Sequence, residues 1–109
     1  MGIDQPHSAD MLHWFEVEGL TYALETLPGH ARLLEGAGFT QVTVRDDEGW
    51  YTQAAQNEYD LLEGPMKDEA LRLPGPGQYQ PFLDDWSAML TVLRKGELIP
   101  AYFRGIKPA

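Results

Sequence analysis

A chain of 109 residues suits one small domain, and its 43% apolar content with three Trp, five Tyr and four Phe argues for a packed globule rather than disorder. Eight Lys and Arg stand against 17 Asp and Glu, and the net charge of −9 repels phosphate backbones and anionic lipid, so nucleic-acid and membrane-surface binding are not expected. Such a field would attract a cationic amine, although solubility is the simpler reading of the charge.

The chain has no cysteine, which excludes disulfides and Cys-based zinc sites and fits a reducing cytoplasm. No apolar run nears the about 20 residues that span a bilayer. The opening MGIDQPHSAD lacks the basic-then-apolar order of a signal peptide. Residues 1–7 read as a loose leader to a single domain spanning 1–109.

Ser8 is a good N-cap for a first helix carrying Met11, Leu12, Trp14, Phe15 and Val17, with Asp10 in its first turn and Gly19 to end it. Leu20 to Glu25 is ambiguous between strand and helix. Thr26 caps a second helix over about 27–36, with Pro28 in its first turn and Ala31, Leu33 and Leu34 as a short apolar face. His30 is expected on its polar side.

Phe39 to Asp46 alternates, with Val42 and Val44 on one face and Gln41, Thr43 and Arg45 on the other, as in a half-buried strand. A turn over Asp46, Asp47, Glu48 and Gly49 precedes a helix from about Trp50 to Leu62, which Gly64-Pro65 breaks. Met66 to Leu73 resumes as helix, and Leu73 to Gly77 forms a Pro/Gly loop. The strongest helix signal follows: Tyr79, Phe82, Leu83, Trp86, Met89, Leu90 and Leu93 recur at spacings of three and four, with Arg94 and Lys95 in the last turn. Leu98 to Ile106 reads as a strand, with Pro100 marking an edge or a bulge.

The expected fold is therefore α+β, with helices packed on a small antiparallel sheet from strands near 40–46 and 98–106. Two strands make a marginal sheet and leave edges that invite a partner.

Several pieces in order carry a resemblance. They are Tyr22-Ala23-Leu24-Glu25-Thr26, then Leu33-Leu34-Glu35-Gly36-Ala37-Gly38-Phe39 before a strand, then Asp46 with Trp50-Tyr51, and Trp86. The end reads Gly96-Glu97-Leu98 and then Tyr102-Phe103-Arg104 with Lys107-Pro108. This run, over most of the chain, resembles the C-terminal third of class I S-adenosylmethionine-dependent N-methyltransferases of the phosphoethanolamine and sarcosine/dimethylglycine type. In those enzymes the N-terminal two-thirds bind the cofactor on a doubly wound sheet. The region matched here supplies the last two strands and part of a substrate lid.

The resemblance implies an accessory, substrate-binding segment whose S-adenosylmethionine site lies on another chain. This chain has no glycine-rich loop after a strand, so no cofactor-binding or catalytic position can be carried over, and turnover by the isolated chain is not expected. Tyr22 resembles the family's substrate-contacting tyrosine. Where the phosphobase members carry an Arg nearby, this chain has Leu20, which counts against a phosphorylated acceptor.

Trp14, Phe15, Trp50 and Tyr51 could wall a cage for a methylated ammonium by cation–π attraction, although core packing is the ordinary role of such rings. His13 and Glu16 sit at i, i+3 but make too few ligands for a metal site. The expected substrate-binding residues are thus Tyr22, Trp14, Trp50 and Tyr51. The expected partners are a second copy of the chain or a Rossmann-type methyltransferase subunit, with a small-molecule acceptor. The other reading is a dimeric domain without catalysis that binds a small ligand or a protein.

Overall fold

The computed structural model of the chain describes residues 1–19, 21–72 and 77–107. The expected Leu73-to-Pro76 part of the loop, the Leu20 position and Pro108 lie outside the described residues. The fold is α+β, with helices α1 (Ala9–Glu18), α2 (Leu27–Gly36), α3 (Glu48–Glu63), α4 (Lys67–Arg72) and α5 (Tyr79–Arg94). Strands β1 (Thr40–Asp46) and β2 (Ala101–Ile106) pair antiparallel as the one sheet among the described residues. None of these helices is long and apolar enough to cross a membrane.

The helix starts and stops follow local chemistry. Ser8 Oγ accepts from the Met11 N–H at 3.2 Å, and Thr26 Oγ1 accepts from the Gly29 N–H at 3.1 Å, so each satisfies a donor the helix leaves free. Gly19 closes α1 at φ 76°, a left-handed conformation that costs a residue with a Cβ. α3 begins two residues before the expected Trp50. Asp46 Oδ1 accepts from the Glu48 N–H at 2.8 Å, which folds the acidic run into a helix start rather than a separate turn.

β2 is shorter than its apolar pattern suggested. The N–H groups of Glu97 and Leu98 both return to the Val92 carbonyl, at 3.1 and 3.3 Å, and so belong to the end of α5. Pro100 lies outside the strand, and its carbonyl accepts from Asp47 N–H at 2.9 Å. The start of the chain departs from a loose leader. The Met1 carbonyl accepts from Ile99 N–H at 2.7 Å, and Gly2 N–H donates to the Glu25 carbonyl at 2.9 Å, which fixes these two residues beside the 21–26 connection. That connection, between Thr21 and Thr26, is neither strand nor helix.

The molecule has two lobes. α1 and α3 pack on α5, and α2 packs on the β1–β2 pair. The large buried side chains, among them Met11, Trp14, Phe15, Leu83, Met89, Leu90, Val92 and Leu93, belong to α1 and α5, and Ala55 of α3 joins them. Among the described residues the sheet lobe has no comparable core. Val44, Tyr102 and Ile106 are exposed, and Leu33, expected on the apolar face of α2, is 62% exposed because two strands are too narrow to reach it. The radius of gyration, 16.8 Å, exceeds the about 13 Å of a compact domain this long, consistent with this elongated arrangement.

The lobes are joined at one end of the sheet. β1 runs through Asp47 directly into α3, and α5 returns through residues 95–100 to β2. A polar clasp ties the ends of α1 and α5: the Ser8 hydroxyl donates to Glu97, and Lys95 Nζ reaches Asp10 at 2.8 Å and Glu97 at 3.1 Å. These contacts hold the Glu97 carboxyl below its ordinary pKa, chiefly through the Ser8 hydroxyl.

Candidate ligand site

Three features of the helical lobe bear on ligand binding: an aromatic stack, a carboxyl pair and an open crevice. The stack is built by α1 and the segment after it. Trp14 and Tyr22 lie parallel, with ring centroids 5.2 Å apart and planes 10° apart, and Phe15 tilts against both. Trp14 is 6% exposed, and one of its faces is already covered by Tyr22. Burial, then the charges of Glu18 and Asp85, push the Tyr22 phenol above its ordinary pKa. It remains a protonated hydrogen-bond donor at neutral pH, not a base.

The four side chains expected to bind substrate separate into two pairs. Tyr22 lines a cleft of about 420 Å³ with His7, Leu12 and Phe15. Trp50 and Tyr51 line a much smaller one, of about 110 Å³, with Glu58 and Trp86. Trp50 is 73% exposed at the start of α3, with its ring edge toward Tyr51 at 6.5 Å. The rings therefore do not converge on one cage. His30 is not on a free polar face either: it packs on Phe103 of β2, 4.3 Å between centroids. Among the described residues, no group of three or more His, Asp or Glu side chains is placed to hold a metal ion.

The carboxyl pair went unread in the sequence. Glu18, at the end of α1, meets Asp85 of α5, and both carboxyls are pushed above their ordinary pKa values, mainly by burial. For Glu18 the neighbouring Asp85 adds to the rise; for Asp85 the Trp14 indole and Glu18 partly oppose it. The Trp14 N–H approaches Asp85 without reaching normal hydrogen-bond geometry, and both Trp14 Nε1 and Asp85 Oδ1 are buried and unpaired. Two carboxyls in one partly dry place share a proton more readily than they hold two charges. A signal for Asp85 was present, because it falls between Leu83 and Trp86 within the apolar stripe of α5. Glu18, four residues after Trp14, lies on that ring's side of α1.

The largest opening described is a crevice of about 680 Å³ between the end of α3, α4 and the start of α5. Its walls are mostly apolar, with Val17, Leu62, Met66, Tyr79 and Phe82 among them. Tyr79 is held in place by its hydroxyl, which donates to the Leu62 carbonyl at 2.7 Å. Phe82 stacks on Trp86 at 4.9 Å and remains 43% exposed, with one side open to the crevice. The size lies within the range of small-molecule sites.

The chain matches no protein-family model and no curated protein.

Proposed function

We propose that this chain is the substrate-binding, accessory segment of an S-adenosylmethionine-dependent methyltransferase acting on a small-molecule acceptor, with the cofactor held by another chain. One observation carries the reading: among the described residues, a two-stranded sheet has unpaired outer edges and no large buried side chains, and its β1 leads at its carboxyl end straight into the helical lobe. A sheet of this kind is incomplete by its own energetics. The helical lobe sits beyond the carboxyl end of β1 and the amino end of β2, at one end of the sheet. The order of elements agrees with the resemblance in the sequence, in which such strands extend a larger parallel sheet and the region supplies part of a substrate lid. On this reading Tyr22 and the Trp14 stack stand at the acceptor side, and Trp50 and Tyr51 cover its approach.

The test is isolation of the tagged chain from its native cells, followed by a methyl-transfer assay. The isolated complex should contain a doubly wound, S-adenosylmethionine-binding chain and should transfer labelled methyl groups to small amines, while the chain alone does not. A chain that stays monomeric, binds no such partner and keeps its stability on dilution to nanomolar concentration would overturn the proposal.

The second reading, a dimeric domain that binds a ligand without catalysis, is favoured by the crevice. That opening lies wholly within the helical lobe and needs no second chain to form.

A further inference from the structure

The charge of this protein is not spread evenly. Residues 8–19, 48–72 and 77–98 of the helical lobe hold twelve of the acidic side chains and four of the basic ones, so a net charge of −8 falls there. The sheet lobe, 1–4 and 21–47 with 99–107, holds five acidic and four basic side chains, a net of −1. The crevice opens in the charged lobe. The charged side chains along its wall are Glu69 of α4 and Asp85 of α5, both acidic.

We infer that the crevice between α3, α4 and α5 is a binding site for a small amphiphilic monocation, an apolar body carrying one ammonium group. The apolar body would lie on Leu62, Met66 and Phe82, displacing water from surfaces that are otherwise exposed. The ammonium would sit between Glu69 and Asp85, and the open face of Phe82, backed by Trp86, supplies a cation–π contact. Asp85 carries the selectivity. Its carboxyl stands on the crevice wall in a partly buried place, where an approaching ammonium offsets a charge that water solvates poorly. A neutral ligand of the same shape gains the apolar contact alone, and an anion meets two carboxyls and a field of like sign. This inference stands on the crevice and its charges, independently of the methyltransferase reading, and uses neither Tyr22 nor the sheet edge.

Phenylbutylamine, phenylbutanol and phenylbutyrate share one apolar body and differ in charge. Each is titrated into the isotope-labelled full chain and followed by two-dimensional NMR. The amine should bind with shifts centred on Val17, Leu62, Met66 and Phe82, about tenfold more tightly than the alcohol, with the acid weakest. Asp85→Asn and Glu69→Gln should each weaken the amine several-fold and leave the alcohol unchanged. Asp85→Asn removes a desolvated charge and Glu69→Gln alters an exposed helix surface, so both variants should keep the wild-type spectrum outside the crevice. Equal affinity for amine and alcohol, shifts centred elsewhere, or no saturation by the amine at millimolar concentration would each overturn the inference. Because the titration uses the chain alone, its failure is distinct from a failure to find a methyltransferase partner.

Discussion

Leu93→Ala should destabilise the whole molecule, not the helical lobe alone. Leu93 is 0% exposed and sits in the core that α1, α3 and α5 share. Removing about three methyl or methylene groups at about 0.8 kcal/mol each gives about 2.4 kcal/mol, and the cavity left behind raises the loss to about 3–4 kcal/mol. A domain of this length holds roughly 5–16 kcal/mol in total, so the variant gives up a large share of it. With a urea slope of about 1.5 kcal/mol per molar, the midpoint should fall by about 2 M. Trp14, Trp50 and Trp86 all report on the helical lobe by fluorescence, while Val44 and Phe103 report on the sheet lobe by NMR. Since no large buried side chain among the described residues belongs to the sheet lobe, both probes should shift together. A sheet-lobe transition that stays at its wild-type midpoint, or a total loss under about 1 kcal/mol, would refute the assignment of the core to α5.

Three further outcomes are expected. Ser8→Ala removes both a helix cap and the hydroxyl that holds Glu97, and should cost about 1–2 kcal/mol in thermal unfolding, against almost nothing for the exposed Leu12→Ala. The carboxyls act in opposite directions with pH. Glu97, with its folded pKa lowered, adds stability that is present above its ordinary range and lost as pH falls through the folded value. Glu18 and Asp85, with folded pKa values raised, add stability that is full below their ordinary range and lost as pH rises through the folded values. Asp85→Asn should therefore raise stability at pH 7 and flatten the loss above the acid range, as read by urea midpoints between pH 3 and 7. Leu33→Asp should leave the stability of the isolated chain within about 0.5 kcal/mol. If a partner covers α2 and the sheet, the same change should abolish association in light scattering.

The helices were legible where cap and stripe agreed. Thr26 with Pro28 gave α2 its start, and the spacing from Tyr79 to Leu93 gave α5. Boundaries went astray where side chains or returning carbonyls overrode the local pattern: Asp46 pulled the start of α3 forward, and Val92 kept Glu97 and Leu98 out of β2. The site was harder. Aromatic residues drew attention by their size, yet Trp14 is committed to the core and Trp50 lies apart from it on the surface. Glu18 and Asp85 owe their raised pKa values chiefly to burial where two helices far apart in sequence meet, and that meeting has no local signature.

The strand β1 carries one residue more than its partner between Thr40 and Thr43, with Gln41 at φ 52°. Such a bulge adds twist and spoils the outer edge of β1 as a template. β2 is regular across the same stretch. The sheet thus has a valence of one: it can accept a strand along β2 and then has nothing flat left to offer. Polymers need two sticky ends, so concentrating this protein should yield capped pairs, not fibres.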